Sequence, residues 1–119
     1  MNNLGLLRFK PYYKTVLWGG SRITSFKGIT QHQEPIGESW EISGLEGFES
    51  VVSEGEHIGK TIEQLLELHG NDILGRRIHR IYGNKFPLLI KFIDASKHLS
   101  IQVHPDDSLA PERHNCWGK

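Results

Sequence analysis

The segment FPLLIKFIDA, Phe86 to Ala95, is an almost unbroken apolar run whose interior carries one lysine, Lys91. It falls well short of the roughly 18 to 20 apolar residues that cross a bilayer, and it has the length of a strand covered on both faces. Shortly after it, LSIQVH, Leu99 to His104, alternates. In extended backbone Leu99, Ile101 and Val103 take one side, and Ser100, Gln102 and His104 take the other. If ASKH, Ala95 to His98, closes a hairpin loop of about four residues, Asp94 lies opposite Leu99, Lys91 opposite Gln102 and Leu89 opposite His104. Lys91, Ser100, Gln102 and His104 then line one surface. The register depends on loop length, because one residue more or less turns Lys91 to the other face.

The rest of the chain reads as β-rich with one helical region. Leu6 to Phe9, TVLWGG from Thr15, ESWEIS (Glu38 to Ser43) and FESVVS (Phe48 to Ser53) are strand candidates, bounded by Pro11 and by glycines. In ESWEIS, Glu38, Trp40 and Ile42 face away from Ser39, Glu41 and Ser43, so the two glutamates are not a carboxylate pair. Thr61 and Gln64 form a capping box ahead of Ile62, Leu65, Leu66 and His69, and Gly70 stands where a C-cap belongs. A second helix fits Asp72 to Ile81, weakened by Gly75. The scattered phenylalanines read as core, and Trp18 with Gly19 and Gly20 as a packed corner in preference to a sugar-stacking platform.

With 119 residues the chain fits one small domain. Its 14 Lys plus Arg balance 14 Asp plus Glu without a long run of either sign, so neither nucleic acid nor a membrane surface is an expected partner. A lone cysteine, Cys116, excludes an intrachain disulfide and has no base in view. The N-terminus lacks a signal-peptide pattern, and a cytoplasmic setting is expected.

Two features carry possible chemistry. A lysine inside an apolar strand is costly unless an anion or polar network meets it, or unless it snorkels from an edge to water. Gln102 and His104 offer a carbonyl oxygen and an imidazole nitrogen, both usable by zinc, but zinc takes three or four protein ligands and no other histidine pair has matching spacing. On spacing alone, a pair of metal ligands and the wet side of a strand both remain open.

The segment FPLLIKFIDASKHLSIQVHPDD resembles the metal-binding segment of the type I phosphomannose isomerases, also called mannose-6-phosphate isomerases, of the cupin superfamily. LWGGSRI, GESWEIS and the helical IGKTIEQLLELHGNDILG resemble three further stretches of that family in the same order. The resemblance implies a mainly β fold: an incomplete, jelly-roll-like cupin barrel with a helical insertion at about residues 60–82, residues 1–119 forming its N-terminal part. It makes Gln102 and His104 two of the zinc ligands, Lys91 a catalytic residue, and Ser100, Glu38 and Lys119 substrate-binding residues. The remaining ligands, a glutamate and a histidine, and the family's arginine would lie beyond Lys119. The activity implied is zinc-dependent aldose–ketose isomerisation of mannose 6-phosphate and fructose 6-phosphate, with this chain inactive alone. The alternative is a non-catalytic, cupin-like module that binds a sugar phosphate.

Overall fold

β2, Ile36–Ser43, is the middle strand of a three-stranded antiparallel sheet of order β1-β2-β3, with β1 at Tyr12–Gly20 and β3 at Leu89–Ile93. The computed structural model describes residues 4–30, 35–114 and 118. Helix α1, Arg22–Lys27, joins β1 to β2; α2, Ile62–Tyr82, lies between β2 and β3; α3, Leu109–His114, follows β3. No helix among the described residues is long and apolar enough to cross a membrane.

The alternation of ESWEIS sets the two faces of the sheet. Tyr12 pairs with Trp40 and Lys14 with Glu38 on one side of β2, while Lys91 pairs with Trp40 and Ile93 with Glu38 on the other. Paired residues share a face, so Tyr12, Lys14, Glu38, Trp40 and Lys91 lie together, and Tyr13, Ser39 and Phe92 lie behind them. β1 is broken: Thr15 and Gly20 both pair with Ile36, so Val16 to Gly19 leaves the ladder. Glycine is needed at this break because backbones and rings approach closely. A Cβ on Gly37 would lie 2.8 Å from the Trp18 ring and against a Val16 methyl, and one on Gly19 would lie 2.7 Å from the Gly37 nitrogen. Trp18 thus packs in a corner, as expected.

α2 starts where the capping box places it: Gln64 N–H donates to Thr61 Oγ1 (3.2 Å) and Thr61 N–H to Gln64 Oε1 (2.9 Å). The expected division into two helices is present as departures from helical backbone at His69 and at Gly75, the latter at φ +77°. Ile62, Leu65 and Leu66 are buried along with Ile23, Ile36 and Val52. Ile62 N–H donates to Ser50 O and Val52 N–H to Lys60 O, which ties the start of α2 to the segment after β2.

Several expectations are corrected. β3 is an edge strand, and Ile90, Phe92 and Ile93 are partly exposed, so FPLLIKFIDA is not covered on both faces. LSIQVH is not a strand: Leu99, Ile101 and Val103 are 49%, 99% and 93% exposed and form no core. The hairpin that would pair it with β3 is not made, because the chain after β3 bonds elsewhere. Ala95 bridges Gly19, and Ser96 donates its N–H to Trp18 O at 2.9 Å and its hydroxyl to Gly19 O at 2.6 Å. Lys91 therefore does not face Gln102, nor Leu89 His104. Leu6 to Phe9 and Phe48 to Ser53 contribute isolated bridges, Phe9 to Val52 and Val51 to Thr61, in place of strands. Phe26, Phe48 and Phe92 pack ring against ring while remaining exposed.

Candidate active site

The site is built on the face of β2 that carries Glu38 and Trp40. Because they are two residues apart, their side chains stand side by side, and Trp40 Nε1–H donates to Glu38 Oε2 at 2.6 Å. From the neighbouring strand, Lys91 Nζ reaches the same oxygen at 2.9 Å. The pair is substantially buried: the side chains of Lys91 and Glu38 are 26% and 10% exposed. Tyr12 and Phe48 close over Trp40 at ring-centroid distances of 5.4 and 5.6 Å. The lysine inside the apolar run is thus met by a polar network, one of the readings its sequence left open.

Burial alone would raise the pKa of Glu38. The hydrogen bond from Trp40, the hydrogen bond and charge of Lys91 and the charge of Lys14 outweigh it and hold the carboxyl below its ordinary value. Glu38 is therefore a carboxylate at neutral pH, with Oε2 occupied by two donors. Glu38 Oε1 accepts no hydrogen bond among the described residues and is not a buried unsatisfied atom.

Glu41 belongs to a separate cluster on the opposite face, as the alternation predicts. It takes Lys27 Nζ at 2.6 Å and the Ser39 hydroxyl at 2.5 Å, and Lys27 lies over the rings of Tyr13 and Phe92. That cluster fastens α1 to the sheet. The sequence reading missed Lys14 and the role of Trp40. Tyr12 and Lys14 share a face by alternation, a signal present in YYK, but only the register of β1 on β2 shows that this face is the one with Glu38.

Of the residues singled out from the sequence, Glu38 and Lys91 come together. Ser100 and Gln102 are exposed on the segment after β3, and neither hydrogen-bonds to the Glu38–Lys91 pair. His104 is exposed on the same segment, and Lys119 lies outside the described residues, as does Cys116. No group of three or more His, Cys, Asp or Glu side chains among the described residues could hold a metal ion. Gln102 and His104 add up to two neutral donors, so the described residues do not by themselves fit a zinc site.

The family model for the catalytic domain of type I phosphomannose isomerase matches residues 6–117. The chain is 36% identical over 118 residues to the mannose-6-phosphate isomerase ManA of Bacillus subtilis, covering 93% of this chain and 36% of that protein. It is 36% identical over 107 residues to the mannose-6-phosphate isomerase of Streptococcus mutans, covering 87% of this chain and 31% of that one. The crystal structure of the B. subtilis mannose 6-phosphate isomerase superposes with a TM-score of 0.79 at 34% identity, over 94% of this chain and 34% of that one. A phosphomannose isomerase from Salmonella typhimurium shares the fold, with a TM-score of 0.73 at 22% identity over 92% of this chain and 29% of its own. These matches place the structure in the mainly β, cupin-type class. The chain belongs to the type I phosphomannose isomerase family, and it spans about a third of the length of the relatives it matches.

Proposed function

We propose that this chain provides the Lys91 and Glu38 part of a site that interconverts mannose 6-phosphate and fructose 6-phosphate. The observation that carries the reading is the Lys91–Glu38 ion pair on one sheet face of a chain in this family. In the reaction a proton leaves C2 of the open-chain aldose and one returns to C1, through an enediol, while the carbonyl oxygen gains and then shares negative charge. A fixed ammonium beside that oxygen stabilises the charge without reorganisation. Lys91 supplies it, held in place by Glu38 Oε2. Oε1 accepts from a sugar hydroxyl, and Ser100, on the following segment, is a further substrate-binding residue. With Oε2 already accepting from Trp40 and Lys91, Glu38 is assigned the role of orienting Lys91 and the sugar. Zinc, when bound, would polarise the sugar's oxygens. Gln102 and His104 would be two of its donors, with the others outside the described residues.

The donor count favours a second reading, a sugar-phosphate-binding module without turnover. A coupled assay of mannose 6-phosphate conversion separates the two. It is run on this chain alone and on this chain joined to the segments of the B. subtilis isomerase that it does not match. The expected outcome is turnover by the joined protein only, falling about a hundredfold with Lys91→Met, the usual cost of removing one charge-stabilising donor. Binding without turnover in the joined protein supports the module. Unchanged turnover in Lys91→Met removes Lys91 from the mechanism.

A further inference from the structure

Trp40 is buried, and a buried indole N–H has to find a partner. Its partner is Glu38 Oε2, at 2.6 Å, the same oxygen that takes Lys91 Nζ at 2.9 Å. The ring is confined, because Tyr12 and Phe48 pack on it at centroid distances of 5.4 and 5.6 Å and lie 5.1 Å from each other. The indole is therefore a fixed donor. A carboxylate, by contrast, turns readily about its last torsion, which is broad and roughly two-fold, so a glutamate held by one lysine alone can present either oxygen. The indole on β2 selects one oxygen, and the lysine on β3 meets it there. Lys91 pairs with Trp40 across the two strands, and its Nζ lies 6.0 Å from the ring centroid, so ring, carboxylate and ammonium form one closed set of contacts.

We propose that Trp40 is a positioning residue: its indole N–H sets the Glu38 carboxylate, and through it the Lys91 ammonium, where the reaction needs a fixed positive charge. This rests on the sugar-phosphate reading above and extends it to a residue that acts only through others. A phenylalanine at position 40 could fill the space between Tyr12 and Phe48, but it would leave the carboxylate with a single donor. The Trp40 bond also stands beside the bond and charge of Lys91 and the charge of Lys14 among the interactions that outweigh the burial of Glu38 and keep it ionised. Losing the N–H therefore loosens the ion pair in geometry and weakens it in charge. Small displacements of a charge-stabilising group are costly, because its value lies in being in place before the charge develops.

The test replaces the indole of Trp40 alone by benzothiophene, whose sulfur stands where the N–H was, so the ring keeps its shape and only the donor is lost. In the full chain, nitrogen NMR relaxation of the Lys91 ammonium and a carbon NMR titration of the Glu38 carboxyl read the pair directly. The ammonium is expected to gain mobility, and the carboxyl midpoint to move upward toward its ordinary value. Trp40→Phe, which keeps an aromatic ring for Tyr12 and Phe48, should show the same two changes. In the protein joined to the remaining segments of the B. subtilis isomerase, the isostere should lower kcat about tenfold, the scale of one hydrogen bond to a charged group, with KM changed by less than about twofold. An unchanged ammonium and carboxyl would overturn the proposal whatever the turnover. A loosened pair with unchanged kcat would overturn it too, since the charge then stays useful without the indole, while the sugar-phosphate reading stands. If the joined protein shows no turnover, or keeps it in full with Lys91→Met, the reaction assigned to Lys91 falls, and the positioning role falls with it even where the pair loosens.

Discussion

At the scale of single residues, the sheet face turns on Glu38, whose one oxygen serves both Trp40 and Lys91. Its carboxyl binds a proton less readily in the folded chain than in the unfolded one. The stability this contributes is fully present above the unfolded carboxyl pKa of about 4.3, and it is lost as pH falls from there through the lowered folded value. Glu38→Gln removes the titration. In urea unfolding measured from pH 7 downward, the parent's midpoint should fall more steeply below about pH 5 than that of Glu38→Gln. Parallel curves would show that the Glu38 interactions contribute nothing to folding.

Among the elements, α1 depends on a residue far away in the chain. Asp94, at the end of β3, accepts from Arg22 N–H at 2.5 Å and from Ile23 N–H at 3.3 Å, across 72 and 71 residues of sequence. Ser21, the formal N-cap, makes no capping bond with its side chain. Gly20 keeps room for this contact, since a Cβ there would sit 2.5 Å from the Asp94 carboxylate. Asp94→Ala should therefore cost about 1–2 kcal/mol in chemical denaturation, and Asp94→Asn, which keeps an acceptor, less. A cost near zero for Asp94→Ala would mean the helix is held by Lys27 and Glu41 alone. The same comparison shows what sequence could reveal. α2 was legible because its cap, Thr61 with Gln64, is written within four positions. α1 was not, because RITSFK has no local N-terminal side-chain cap and borrows one through tertiary structure. The pairing of Glu38 with Lys91 was legible only in part: alternation chose the face of each, but the register came from β2 meeting β3.

For the whole molecule, the controlling quantity is uncovered surface. The chain exposes 9269 Å², against about 6,600 Å² for a folded monomer of its mass. Its radius of gyration is 16.6 Å against about 13.5 Å, and its shortest extent is 19 Å. Among the described residues no apolar layer receives Leu99, Ile101 and Val103. The alternation of LSIQVH is realised as a strand only where a neighbouring strand and an apolar layer meet it, and none of the described residues do. That is why the segment was misread, and why Gln102 and His104 stand apart from the pair of Lys91 and Glu38. The energetic consequence is sharp. Ile101→Ser and Val103→Ser should each change the stability of this chain by less than about 0.5 kcal/mol, as exposed positions do. Leu65→Ala, at a fully buried position, should cost about 2–5 kcal/mol in the same urea titrations. A loss of that size on Ile101→Ser would show that this segment is covered in solution, by self-association if the loss also depends on chain concentration.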